Sequence, residues 1–286
     1  MAEMADVADT KGASETLSTK HKSLGETPKI TFEFPDNGGT FLLADKEQLV
    51  NISEVFEKQI LSELNRENEK IVIKDISLEI FSMMIEFSYD GSIEIYEKNY
   101  LEILYAAKKY FYYDLLNKVV EFLLEFINVD NLTDHFEFIE KFELKSVMDH
   151  INILCIRNPL KVIQHITFTE DHMRILKVIL ESPVLPCTEY TLYYTIIETM
   201  KGQLQELLRG KSKKMLGEIM RKKLGPLIYL IRFPTMSVDE LILCAKPPSL
   251  LKDKEIVDFQ LWSKLQVFTE TLLCFSRIPR NRQNIY

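Results

Sequence analysis

The spacing of apolar residues changes once along this chain, and that change sets what it can fold into. Ile30, Phe32 and Phe34 alternate with Thr31 and Glu33, the two-residue period of a strand with one buried face. Asp36-Asn37-Gly38-Gly39 tolerates positive φ, and Phe41-Leu42-Leu43 follows, so this stretch predicts a β-hairpin. Ile71-Val72-Ile73 reads as a third strand packed on both faces, and residues 93–96 as a short fourth. Beyond them no segment carries a convincing strand pattern.

Between and after these strands the period lengthens to three and four. A helix is expected from Lys46 to Val50, and Ser53 caps a second that carries Val55, Phe56, Gln59 and Ile60. Ser77 caps a third with Ile80, Phe81, Met84 and Ile85 on one stripe, stopped by Asp90-Gly91. Helices follow at 97–111 and 114–127, then at 130–142, 144–157, 159–165, 170–180, 189–208 and 213–231. Pro159, Pro183, Pro186 and Pro226 punctuate the later ones. The chain therefore reads as a mixed α and β domain followed by an all-helical one, and residues after Pro247-Pro248 are left open between helix and strand. Residues 1–26 hold hardly any large apolar side chains and are expected to be a disordered tail.

Charge and chemistry narrow the function. A formal net charge of -8 disfavours nucleic acid and anionic membrane, so protein partners are expected. No apolar run reaches the roughly 18 residues of a membrane span, and the N-terminus lacks a signal-peptide pattern, which leads us to expect a cytoplasmic protein, with the nucleus also open to it. The basic run from Arg209 to Lys223 is read as a solvated loop and helix face. The five histidines are scattered, and His165 and His172 are wrongly spaced for one helical face. Cys155, Cys187, Cys244 and Cys274 lie far apart and read as reduced thiols. We expect no catalytic residue, metal or cofactor.

The ordered segments resemble a known family. Leu43-Ala44-Asp45-Lys46 through Ser53-Glu54-Val55-Phe56 is similar to the BTB signature, a turn into a helix closed by a Ser-Pro-Val-Phe-like step. Ile71-Val72-Ile73-Lys74-Asp75-Ile76, the stretch from Phe81 to Tyr89-Asp90-Gly91, and Leu101 to Tyr110 resemble its later landmarks in order and spacing. Val129-Asp130-Asn131-Leu132 and Ile231-Arg232-Phe233-Pro234-Thr235-Met236 resemble the opening and closing motifs of a BACK domain. The resemblance implies an α+β BTB/POZ domain over 27–127 and an all-α BACK helical-repeat domain over 128–245, with 246–286 as a C-terminal extension. After Pro248 too few residues remain for a Kelch, MATH or PHR domain.

It further implies a non-catalytic substrate adaptor that docks cullin three, the scaffold of a RING ubiquitin ligase, and presents an unknown substrate protein. The alternative is a BTB scaffold or dominant-negative partner that pairs with itself or other BTB proteins without binding a cullin. Asp45 stands where the family usually has His. Arg66 stands where cullin-binding members carry Glu, with Glu67 one position on. On this reading Ile30, Phe32, Asp45 and Lys46 belong to the dimer region, and Leu64, Glu67, Tyr110, Tyr112 and Phe136 face the cullin. Leu64 stands out as an apolar residue in a polar loop, and Tyr105, Phe111 and Tyr113 complete an aromatic cluster around Tyr110 and Tyr112.

Overall fold

The computed structural model describes residues 28–63, 70–204, 209–210 and 212–281. They divide into two compact units, one ending at Leu116 and the other beginning at Asn117.

In the first unit, β1 (Lys29–Phe34) runs between two partners in a sheet of order β2-β1-β3. It pairs antiparallel with β2 (Thr40–Asp45) and parallel with β3 (Lys70–Val72). The hairpin turn is a single 3-10 turn, Pro35–Asn37, closed by Gly38 and Gly39 at φ of 70° and 74°, where a side chain would be strained. A parallel neighbour requires a crossover. The chain supplies it with α1 (Lys46–Ile52) and α2 (Glu54–Glu63). Ile30, Phe32, Phe34 and Ala44 point to the buried face, whereas Phe41, Leu43 and Val72 remain exposed on the other. Val72 is 47% exposed while Ile71 and Ile73 are buried, so the expectation of a third strand packed on both faces is corrected. β3 is an edge strand with one covered face.

α3 (Leu78–Asp90) and α4 (Tyr100–Lys109) complete the unit together with the first turn of α5 (Tyr113–Phe126). Both ends of α3 follow the sequence: the Ser77 hydroxyl accepts from the Ile80 N–H at 3.4 Å, and Gly91 ends it in the left-handed region. The strand expected at 93–96 does not form. The buried Asn99 side chain accepts from the Tyr96 N–H and donates to the Glu94 carbonyl, which satisfies this loop without a neighbouring strand.

The centre of the unit is a cluster of five rings. Phe81 meets Phe32 at 4.7 Å, Phe34 at 5.4 Å, Tyr110 at 5.8 Å and Phe56 at 6.1 Å between centroids, mostly edge to face, while Phe56 stacks on Tyr110 at 4.2 Å. Ser53 ties α2 to this cluster: its hydroxyl accepts from the Phe56 N–H and donates to the Tyr110 carbonyl. The Tyr110 hydroxyl itself is buried with no partner among the described residues, and burial pushes its pKa up. A buried hydroxyl without a partner is unfavourable, so Tyr110→Phe should raise stability by about 1 kcal/mol in urea unfolding. A loss of similar size would mean that the hydroxyl is bonded in solution.

The second unit is helical. α6 (Leu132–Lys141), α7 (Lys145–Arg157), α8 (Pro159–His165) and α9 (Glu170–Glu181) each bury one stripe. α10 (Glu189–Leu204) and α11 (Lys213–Leu224) follow. The single helix expected over 213–231 ends at Leu224, because Gly225 takes φ 56° and Pro226 lacks the N–H needed to continue; residues 225–230 form a 3-10 turn instead. α12 (Val238–Cys244) opens with a reciprocal cap between Ser237 and Glu240.

The segment that the sequence left undecided is helical where it is regular: α13 (Asp253–Leu265) and a 3-10 turn at Glu270–Leu273. It is no loose extension. Phe259 and Phe275 are buried against Phe233, whose ring stacks on Phe259, and Tyr193 closes the cluster. Arg280 then reaches inward to Glu189 at 2.5 Å.

Candidate partner-docking surface

Where α4 hands over to α5, the chain turns in a way that helical spacing does not foretell. The Tyr112 N–H donates to the Ala107 carbonyl at 2.8 Å and the Phe111 N–H to Lys108 at 3.3 Å, the paired bonds of a left-handed helix terminus. Phe111 occupies its pivot with φ 50°, a position usually held by glycine. The pivot throws successive side chains to opposite sides. Tyr110 and Tyr112 turn inward, the first onto Phe56 and the second onto Phe87, while Phe111 is 52% and Tyr113 66% exposed. The same arrangement recurs after α6, with Glu143 at φ 53° as the pivot.

The placement of Tyr110 and Tyr112 on a partner-facing surface is therefore corrected: they are core residues, held inside by this turn. Phe136 is corrected likewise, because it lies on the buried stripe of α6. The aromatic residues that do face outward are Phe111, Tyr113 and Tyr105. Sequence reasoning grouped them with their buried neighbours because nothing in the residue types marks a phenylalanine with positive φ.

Beside them lies a charged tether. Asp75 accepts from Lys109 Nζ at 2.6 Å and from the Tyr105 hydroxyl at 2.5 Å. These two hydrogen bonds, the lysine's first, hold the Asp75 carboxyl below the usual carboxylate range, and the carboxylate in turn raises the Tyr105 phenol. The tether fixes the loop after β3 to α4. Leu64 and Glu67, like Arg66, lie outside the described residues.

The residues expected in the dimer region separate into two groups. Ile30 and Phe32 are 1% and 0% exposed on the covered face of β1, so their side chains serve the unit's own core and the expectation that they form a pairing surface is corrected. Asp45 and Lys46 are half-buried where β2 enters α1. Asp45 accepts from the Tyr89 hydroxyl at 3.1 Å and its N–H donates back to the same oxygen, while the Lys46 N–H donates to the Pro28 carbonyl.

His172 bonds Thr167 and the Thr133 carbonyl, and among the described residues no group of three or more His, Cys, Asp or Glu is gathered in metal-binding range. Burial pushes the Cys155 and Cys244 thiols up to about 12, far from the reactive thiolate form at neutral pH. Among the described residues no helix is long and apolar enough to cross a membrane.

Residues 30–127 match the BTB/POZ domain family. BTB/POZ domain-containing protein 3 of Homo sapiens is 27% identical over 235 residues, 79% of this chain and 42% of that protein. BTB/POZ domain-containing protein 6-B of Danio rerio is 27% identical over 229 residues, 77% of this chain and 45% of that one. The chain thus spans less than half the length of these relatives. Among solved structures, the BTB domain of zebrafish PATZ1 aligns with 34% of this chain and 75% of its own, at 20% identity and a TM-score of 0.30.

Proposed function

We propose that this chain, which carries a BTB/POZ domain over residues 30–127, is a non-catalytic adaptor whose BTB/POZ domain docks cullin three and whose helical unit is a BACK domain that presents a substrate. The observation that carries the reading is Phe111. A non-glycine residue in the left-handed region costs roughly 1–2 kcal/mol, and about half of the Phe111 ring remains in solvent. The turn that ends α4 sets this ring and that of Tyr113 outward side by side, an exposed aromatic pair of the kind that a partner covers. Tyr113 extends the same surface, and the Asp75 tether fixes the chain after β3 to α4 beside it.

Calorimetric titration of the full chain against the N-terminal domain of cullin three tests this. Low-micromolar binding is expected, lost in Leu64→Asp. Phe111→Gly is expected to weaken binding at least tenfold while raising the stability of the free chain by about 1 kcal/mol, because glycine removes the strain along with the ring. No binding by the intact chain would overturn the adaptor reading. It would favour a scaffold that pairs with itself or other BTB proteins, for which the exposed Phe41, Leu43 and Val72 on the open face of the sheet speak.

A further inference from the structure

The second unit contains a cleft of about 820 Å³ between α11 and the segment from Ala245 to Ile256. That volume lies in the range of specific ligand sites. Its walls are held by contacts internal to the chain. Gly217 faces the crossing segment so closely that a Cβ there would lie 2.1 Å from the Ser249 carbonyl oxygen, so the segment rests directly on the helix backbone. Arg221 donates to the Leu250 carbonyl at 2.6 Å and grips both oxygens of Glu255 at 2.6 and 2.8 Å. Glu255 in turn accepts from the Lys252 N–H, at the first turn of α13. Both charges of this pair are largely shielded from water and cancel.

What remains open to a ligand has two characters. Pro226, Tyr229, Leu251 and Ile256 supply apolar wall, and Tyr229 is 40% exposed. Lys214, Lys222 and Lys252 stand exposed on the rim against Glu218 and Asp253. The wall helix α11 carries Lys213, Lys214, Arg221, Lys222 and Lys223 against one carboxylate, in a chain whose net charge is -8. Part of the basic run that reads as a solvated face in the sequence, Lys214, Arg221 and Lys222, thus lines a preformed cleft.

We infer that this cleft binds an extended acidic segment of a partner protein, with one large apolar side chain seated between Tyr229 and Ile256 and flanking carboxylates on the rim lysines. An apolar floor under a cationic rim matches such a peptide. A nucleic acid would call for stacking rings, and among the described residues Tyr229 is the one aromatic residue that lines this cleft. That the partner is a substrate rests on the adaptor reading; the peptide chemistry does not.

The test pans a phage-displayed library of random twelve-residue peptides on the full chain and measures the selected peptides by fluorescence polarisation. The expected result is enrichment of peptides with an aromatic or large aliphatic residue flanked by Asp or Glu. Their affinity should fall at least tenfold in Lys214→Glu/Lys222→Glu, whose exposed positions leave the thermal transition unchanged. Three results would overturn it: no enrichment, peptides indifferent to the charge reversal, or a single-stranded oligonucleotide that competes them off. Titration of the same double variant with the cullin three domain separates the two claims. Cullin binding without peptide selection sinks the cleft alone, and peptide selection without cullin binding sinks the adaptor reading and leaves the cleft a peptide site.

Discussion

Arg280→Ala is expected to destabilise the second unit by about 3–5 kcal/mol, the range for removing one partner of a buried ion pair. The Arg280 side chain is 3% exposed and its partner Glu189 10%. Besides that carboxylate, its guanidinium donates to the carbonyls of Leu180 and Ser182 at 2.8 Å and of Leu230 at 3.0 Å. One side chain thus closes the end of α9, the start of α10 and the turn after α11. Alanine leaves Glu189 without its ion-pair partner and takes a donor from the carbonyls of Leu180, Ser182 and Leu230, of which Ser182 keeps the Arg232 guanidinium. Lysine should recover little, because a single ammonium cannot reproduce the planar fork that meets four acceptors. Trp262, the chain's one tryptophan, lies on α13 and reports this unit by fluorescence. Its urea midpoint should fall sharply in Arg280→Ala, and a loss below about 1 kcal/mol would mean that the C-terminal segment is not part of the folded unit.

Phe81→Ala should cost the first unit about 3–5 kcal/mol, since it empties the middle of a cluster in which Phe81 touches four other rings. The side chain is fully buried, and the sheet and helices around it are too well tied to collapse into the space. The loss should appear in the circular dichroism transition while Trp262 fluorescence unfolds at its former midpoint. Coincident shifts of both signals would show that the two units unfold as one. A small cost in either signal would contradict the placement of this cluster as the core.

These two residues differ in how far the sequence foretold them. Phe81 sits on a stripe whose spacing, cap and stop were all legible, because α3 buries one clean face. Arg280 gave no such signal, since its partners are up to 100 residues away and only the fold brings them together. α13 was ambiguous for a related reason: it buries Glu255 and Asp258 along with Phe259, so polar residues interrupt its apolar stripe. Asp258 is met by the Thr271 hydroxyl at 2.5 Å, and Glu255 by Arg221, contacts that no local pattern encodes.

The candidate docking surface was half legible. The aromatic cluster around Tyr110 was visible as composition, but which rings face outward depends on one residue with positive φ, and phenylalanine carries no mark of that conformation. In the sheet, Ile30 and Phe32 were read correctly as one face of a strand, and that face is covered by the unit's own helices. Lys29 before them and Phe41, Leu43 and Val72 on the open face are what the sheet leaves exposed.

Hydrogen exchange of the full chain, with and without saturating cullin three N-terminal domain, tests the central claim most directly. The account predicts slowed exchange in peptides covering residues 57–74 and 105–116, with the amides of α10 to α13 unchanged. Exchange that is the same with and without the cullin domain, or protection confined to the second unit, would contradict it.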